Sequence, residues 1–193
     1  MKEFRDDMRK WTKSIIEMYD KQAQMMFRLN HTMPRTQEYN ALLKELLEDR
    51  IGEGSMIAAP IAGAAIDRLV IGKNVYINSG SLLMARGGIT IEDDVLIAAN
   101  VQLISNNHDP YDRAVLTCKP VMIKQGAWIG AGASIMPGVT VGKYAIVGAA
   151  SVVTHDVPDY AVAVGNPAKV IRQLEKDKFI DYTESHIQQS KQH

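Results

Sequence analysis

The chain has 193 residues, 46% of them hydrophobic and 23% charged, enough apolar material for one well-buried domain and a small appendage. Its 22 Lys and Arg balance 22 Asp and Glu, which argues against nucleic acid or an anionic membrane as partner; any anion it binds must be held by local cations. The single cysteine, Cys118, excludes an internal disulfide and a thiolate-built zinc site, and no stretch approaches the ~18 apolar residues that span a bilayer. With a charge-rich N-terminus, MKEFRDDMRKWTKS, that offers no apolar signal region, the cytoplasm is the expected compartment.

In chain order, residues from Lys2 to Leu29 place Trp11, Ile15, Met18, Tyr19, Met26 and Leu29 at helical spacing, predicting an amphipathic helix. After the breaker stretch His31 to Pro34, a second helix is expected from near Thr36, carrying Leu42, Leu43, Leu46 and Leu47 and stopping at Gly52. Residues 1–55 thus read as a helical hairpin. Its Met and Leu stripe reads as core rather than as a partner-binding groove.

From Ile71 the period changes to six. Ile123, Ile129, Ile135, Val141, Val147 and Val153 recur without a slip, and the fourth residue after each is also small or apolar: Ala127, Ala133, Val139, Ala145, Ser151 and Val157. Earlier coils repeat the pattern with Ile71 and Val75, Ile77 and Ser81, Ile91 and Val95, and Ile97 and Val101. One large inward aliphatic per short strand, followed by a tight turn, closes a narrow solenoid whose coils stack by backbone hydrogen bonds. Such a prism is expected over residues 56–168, interrupted once by the excursion loop 105–120, whose Asn, Asp and Pro residues cannot continue the repeat. Gly165, Asn166 and Pro167 close the last coil. Ala168 to Phe179 reads as a short mixed-charge helix, and the tail beyond Asp181 as polar and mobile, within a final segment 169–193.

These repeats, with NNHDPYDR, AWIGAGASIMPGVTVG, GAASVVTHDVP and GNPAKVIR, resemble the maltose and galactoside O-acetyltransferases of the hexapeptide acyltransferase superfamily. The resemblance runs from about Met25 to Arg172. It implies a mainly β chain folded as a left-handed parallel β-helix with an N-terminal helical cap. It also implies a homotrimer with active sites between subunits, acetyl-CoA as co-substrate and no metal. The hairpin ending in FRLNHTMP is similar to the cap of the sugar-type branch.

Acetyl transfer to an alcohol needs a base for the hydroxyl proton, and imidazole has a suitable pKa. His108 stands in the excursion loop where the family places that base. Cys118, beside Lys119 and Pro120, is the less favoured alternative, an acylated nucleophile without a family counterpart. By the same resemblance Asn78 and Tyr76 contact the acceptor. Trp128, Gly130 and Ala131 line the thioester channel, Ala131 offering its backbone N–H to an oxyanion. Ala149, Thr154 and His155 meet the pantetheine side, and Lys169 and Arg172, expected on a terminal helix, meet the nucleotide. Two departures bear on the acceptor. The coil from Ala58 to Ala65 is apolar where relatives carry aromatic or acidic residues, and Ala85 and Arg86 replace an acidic pair. The alternatives are therefore acetylation of an antibiotic or another non-sugar alcohol or amine, and a non-catalytic trimeric binding module. A zinc enzyme is disfavoured, since of five histidines only His108 and His155 fall in the prism.

Overall fold

The protein is described from a computed structural model over residues 2–179. The expected tail beyond Asp181 lies outside the described residues.

Strands of two or three residues wind into a parallel β-helix of three faces, each strand pairing with the equivalent strand of the next coil. Three inward ladders result. Ile51, Ile71, Ile91, Ile123, Val141 and Val157 stack on the first face. Ile57, Ile77, Ile97, Ile129, Val147 and Ala163 stack on the second. Gly63, Leu83, Leu103, Ile135 and Val153 stack on the third. Apart from Gly63 these residues are buried or, at Ile51, half-buried, so the six-residue period is the burial period of the core. The second inward positions, from Val75 to Val157, are buried as well.

The excursion is not the sole interruption. Twenty residues separate Ile57 from Ile77 and Ile77 from Ile97, but eighteen separate Ile129 from Val147. The two extra residues of each early coil sit at the corner after the third face, in the 3-10 turn Ile66–Arg68 and in the segment from Ala85 to Gly88.

Two helices, α1 (Lys13–Asn30) and α2 (Gln37–Leu47), cap the first coil. Thr12 and Thr36 are their N-caps, each side chain accepting from a backbone N–H three residues on. Side chains bolt this cap to the prism: Asn30 exchanges two hydrogen bonds with the backbone of Ile61, Gln22 accepts from Ile66 N–H, and Tyr39 donates to Ile57 O at 2.8 Å.

Three segments differ from the sequence reading. The first helix does not begin at Lys2, because Phe4–Asp7 is a strand followed by the 3-10 turn Met8–Lys10. That strand pairs antiparallel with Val115–Cys118, which pairs in turn with Asn106–His108, so the excursion is a β-hairpin with a third strand laid on it. The C-terminal helix is shorter than expected: Ala168–Gln173 is a strand antiparallel to Ala161–Gly165, and helix begins only at Asp177. The last parallel strand would otherwise leave an edge of unpaired backbone groups, and the returning chain pairs it.

Candidate active site

His108 ends the outgoing strand of the hairpin and is exposed. Its Nδ1 lies 2.6 Å from the carbonyl oxygen of Arg113. A carbonyl only accepts, so Nδ1 donates, and in the neutral ring the lone pair is on Nε2, the tautomer a general base requires. The intervening turn is held by Asp109, whose Oδ1 accepts from the backbone N–H of Tyr111 and Asp112 at 2.8 and 3.0 Å and whose Oδ2 accepts from Arg5 at 2.6 Å. The Tyr111 N–H first, then Arg5 and the Asp112 N–H, hold the Asp109 carboxyl below its ordinary value. Asp109 is thus a fixed anion beside the candidate base, a place that its sequence position does not announce.

Cys118 is fully buried, and burial first, then Asp6, pushes its thiol above the ordinary value. A buried protonated thiol cannot serve as an acyl acceptor.

The other candidates gather elsewhere on the prism. Tyr76 and Trp128 stand on the outer side of the second face, in one cross-strand row: Met56, Tyr76, Leu96, Trp128, Ile146, Val162 and Arg172. Trp128 is 50% exposed and Leu96 53%, so part of this row is an open apolar surface. The following corner carries Asn78, Gly130, Ala131 and Ala149. Coils stack directly there: Gly132 N–H donates to Ala99 O and Ala150 N–H to Ala131 O, while Gly130 N–H donates to Val147 O. A Cβ on Gly130 would come within 2.6 Å of Ala149 N, so the close stacking requires glycine. Among the described residues no acceptor takes the Ala131 N–H, and Ala131 is exposed, which leaves a fixed donor at the surface. The Asn78 side-chain oxygen accepts from Ser79 N–H at 2.8 Å. Thr154 and His155 are exposed at the corner after the third face, with Thr154 Oγ1 and His155 Nδ1 2.9 Å apart.

Lys169 and Arg172 lie on a strand, not a helix. Three residues apart, they would point to opposite faces of a regular strand. A bulge intervenes: Ala163 pairs with Val170 and Val162 with Arg172, leaving Ile171 extra. Lys169 opposes Val164 and Arg172 opposes Val162, two positions on one face, so the bulge turns both cations to the side of Trp128. Three strand spacings separate Trp128 from Arg172, about 15 Å. The arrangement offers an apolar track with a backbone donor at one end and paired cations at the other.

Comparison with known proteins now has a geometry to refer to. The family models for bacterial transferase hexapeptide (six repeats) and for the hexapeptide repeat of succinyl-transferase match residues 120–155 and 68–104. The galactoside O-acetyltransferase of Escherichia coli (strain K12) is 34% identical over 167 residues, 82% of each chain. The chain belongs to the hexapeptide-repeat acetyltransferases. A maltose O-acetyltransferase of Clostridium difficile 630 superposes with a TM-score of 0.78 at 29% identity, over 86% of this chain and 90% of that one. A hexapeptide-repeat acetyltransferase of Vibrio cholerae O1 biovar eltor, complexed with acetyl coenzyme A, superposes with a TM-score of 0.80 at 30% identity, over 86% and 91%. Membership makes this chain an acetyl-CoA-dependent acyltransferase of the hexapeptide β-helix fold.

One cluster ties the N-terminal segment to the prism. Arg86 is 9% exposed; its Nε donates to Asp6 Oδ2 at 2.6 Å, its guanidinium also bonds the Tyr19 hydroxyl, and it lies over the rings of Trp11 and Tyr19. Trp11 Nε1 donates to the same Asp6 oxygen at 3.0 Å. The position read as an acceptor-site departure is therefore filled from the N-terminal segment. Among the described residues, no group of three His, Cys, Asp or Glu side chains gathers as a metal site, and no helix is long and apolar enough to cross a membrane.

Proposed function

We propose that the chain transfers the acetyl group of acetyl-CoA to a hydroxyl of a small acceptor, a sugar such as maltose or a galactoside, with His108 as general base. The sites would lie between neighbouring subunits of a cytoplasmic homotrimer. One observation carries the role of His108: the Arg113 carbonyl lies 2.6 Å from Nδ1 and accepts its N–H, so the lone pair of the neutral ring is on Nε2. Nε2 takes the acceptor proton, the oxygen attacks the thioester carbon, and the tetrahedral oxyanion is met by Ala131 N–H. Collapse expels the CoA thiolate, which recovers the proton from the imidazolium, so no covalent acyl-enzyme is required. Trp128 walls the pantetheine track, with Ala149, Thr154 and His155 along it. Lys169 and Arg172 neutralise the nucleotide phosphates.

Two features support assembly. The hairpin bearing His108 leaves the prism at the corner after the third face, whereas Asn78 and Ala131 occupy the corner before it. A neighbouring prism brings such corners together. The apolar row through Leu96 and Trp128 is a surface that a second copy would cover. The free buried thiol of Cys118 suits a reducing compartment.

A non-sugar alcohol or amine is the second reading, because Arg86 and the apolar coil from Ala58 to Ala65 replace groups that would bind sugar hydroxyls. Release of free CoA thiol from acetyl-CoA, measured over maltose, galactosides, aminoglycosides, phenolic glycosides and amino alcohols, tests the assignment. Turnover with maltose or a galactoside is expected. Turnover confined to the other acceptors establishes the second reading, and absence of both turnover and CoA binding leaves a non-catalytic module.

A further inference from the structure

The segment Phe4–Lys10 joins the prism to the hairpin with its two faces. Phe4 and Asp6 point inward: Phe4 lies under the Arg68 guanidinium at 5.3 Å, and Asp6 accepts from Arg86 and Trp11. These partners stand on or beside the two inserted corners, Ile66–Arg68 and Ala85 to Gly88, so the insertions build the seat of the strand. Arg5 and Asp7 point the other way, as strand alternation requires. Arg5 reaches Asp109, Asp7 braces Arg9 at 2.8 Å, and Arg9 reaches Asp112 Oδ2 at 2.7 Å. Met8 N–H adds a 2.9 Å bond to Ala114 O.

These contacts converge on one short turn. Asp109 and Asp112 flank it, Arg113 NH1 donates to Asp109 O at 2.7 Å, and its last residues include the Arg113 carbonyl that orients His108. These links from the N-terminal segment thus end within four residues of Arg113, whose carbonyl accepts Nδ1–H. Global stability is a poor reason for the two arginines, which are 62% and 60% exposed, because exposed ion pairs contribute little to it. The inner face already seats the strand.

We propose that the N-terminal strand is a clamp for the catalytic hairpin, and that Arg5 and Arg9 are positioning residues fixing the turn that orients His108. The proposal rests on His108 being the base. A base loosened from its orienting carbonyl spends less time in the productive geometry and in the productive tautomer, which lowers turnover without touching the co-substrate track.

The test compares full-length wild type, Arg5→Ala with Arg9→Ala, Arg5→Lys with Arg9→Lys, and His108→Ala, assayed for kcat, KM for acetyl-CoA, Tm and the pH profile of kcat/KM. The clamp predicts that the double alanine variant loses roughly tenfold to a hundredfold in kcat, with KM for acetyl-CoA and Tm near wild type. Its pH profile should be displaced, and the double lysine variant should recover most of the loss. A double alanine variant within twofold of wild-type kcat, beside an inactive His108→Ala, overturns the clamp. Activity surviving in His108→Ala overturns the base assignment instead. Should the double alanine variant fail to fold, the single variants Arg5→Ala and Arg9→Ala are read by the same criteria.

Discussion

At His108 a side chain that could hold its proton on either nitrogen is committed to one, because the atom facing Nδ1 is a carbonyl oxygen. The commitment depends on the turn, and the turn depends on Asp109. The folded-state pKa of Asp109 lies below its unfolded value, held there first by the Tyr111 N–H and then by Arg5. Its contribution to stability is therefore fully present above about pH 4, the ordinary carboxyl value, and is lost as pH falls through the lowered one. Asp109→Asn keeps an acceptor for the turn but loses the charge. The Tm gap between wild type and this variant should be open at pH 6 and close on acidification below pH ~4; a gap that widens in acid would contradict the account. The identity of the candidate base was legible in NNHDPYDR, but its orienting group was not, since Arg113 contributes a backbone atom for which no side-chain signal exists.

Among the elements, those set by burial periodicity were readable and those set by distant pairing were not. A β-helix strand must offer one aliphatic inward every six residues, so Ile123 through Val153 declare themselves. Phe4–Asp7 is a strand only because Val115–Cys118 supplies its partner, and the charged run FRDDMRK carries no alternation of apolar residues from which to infer it. Ala168–Gln173 misleads for the opposite reason. Val170, Ile171 and Leu174 are spaced as on a helix, but the open edge at Ala161–Gly165 claims the segment as a strand. The bulge at Ile171 bears on binding. Deleting Ile171 would remove the bulge but leave Arg172 two positions from Lys169 in a regular strand, on the same face, so both cations would stay beside the track. KM for acetyl-CoA should rise on the order of tenfold in Arg172→Ala, for one lost charge-assisted contact, with little change in kcat, and should stay near wild type when Ile171 is deleted. An unchanged KM in Arg172→Ala would remove this residue from the nucleotide site.

For the molecule as a whole, the repeat specifies a stacked prism but not its hand, because inward positions every six residues serve either sense and the general rule for parallel crossovers favours the right. The left hand is implied by family resemblance alone. The distribution of candidates over separate corners was likewise invisible along the chain. Asn78 and Ala131 share one corner through coil stacking, while His108 departs from the next. Two-residue insertions at Ile66–Arg68 and Ala85 to Gly88, which look like slips in the repeat, acquire a purpose once the N-terminal strand is laid across them. A prism, a hairpin and an N-terminal strand together make a surface that one coil could not. The central claim is that this surface moves acetyl groups with His108 as base, and it is tested most directly by the steady-state rate of CoA-thiol release for wild type and His108→Ala with one competent acceptor, alongside CoA affinity. Turnover should fall roughly 10²- to 10⁴-fold in the variant with CoA affinity preserved; wild-type turnover in His108→Ala would contradict the mechanism.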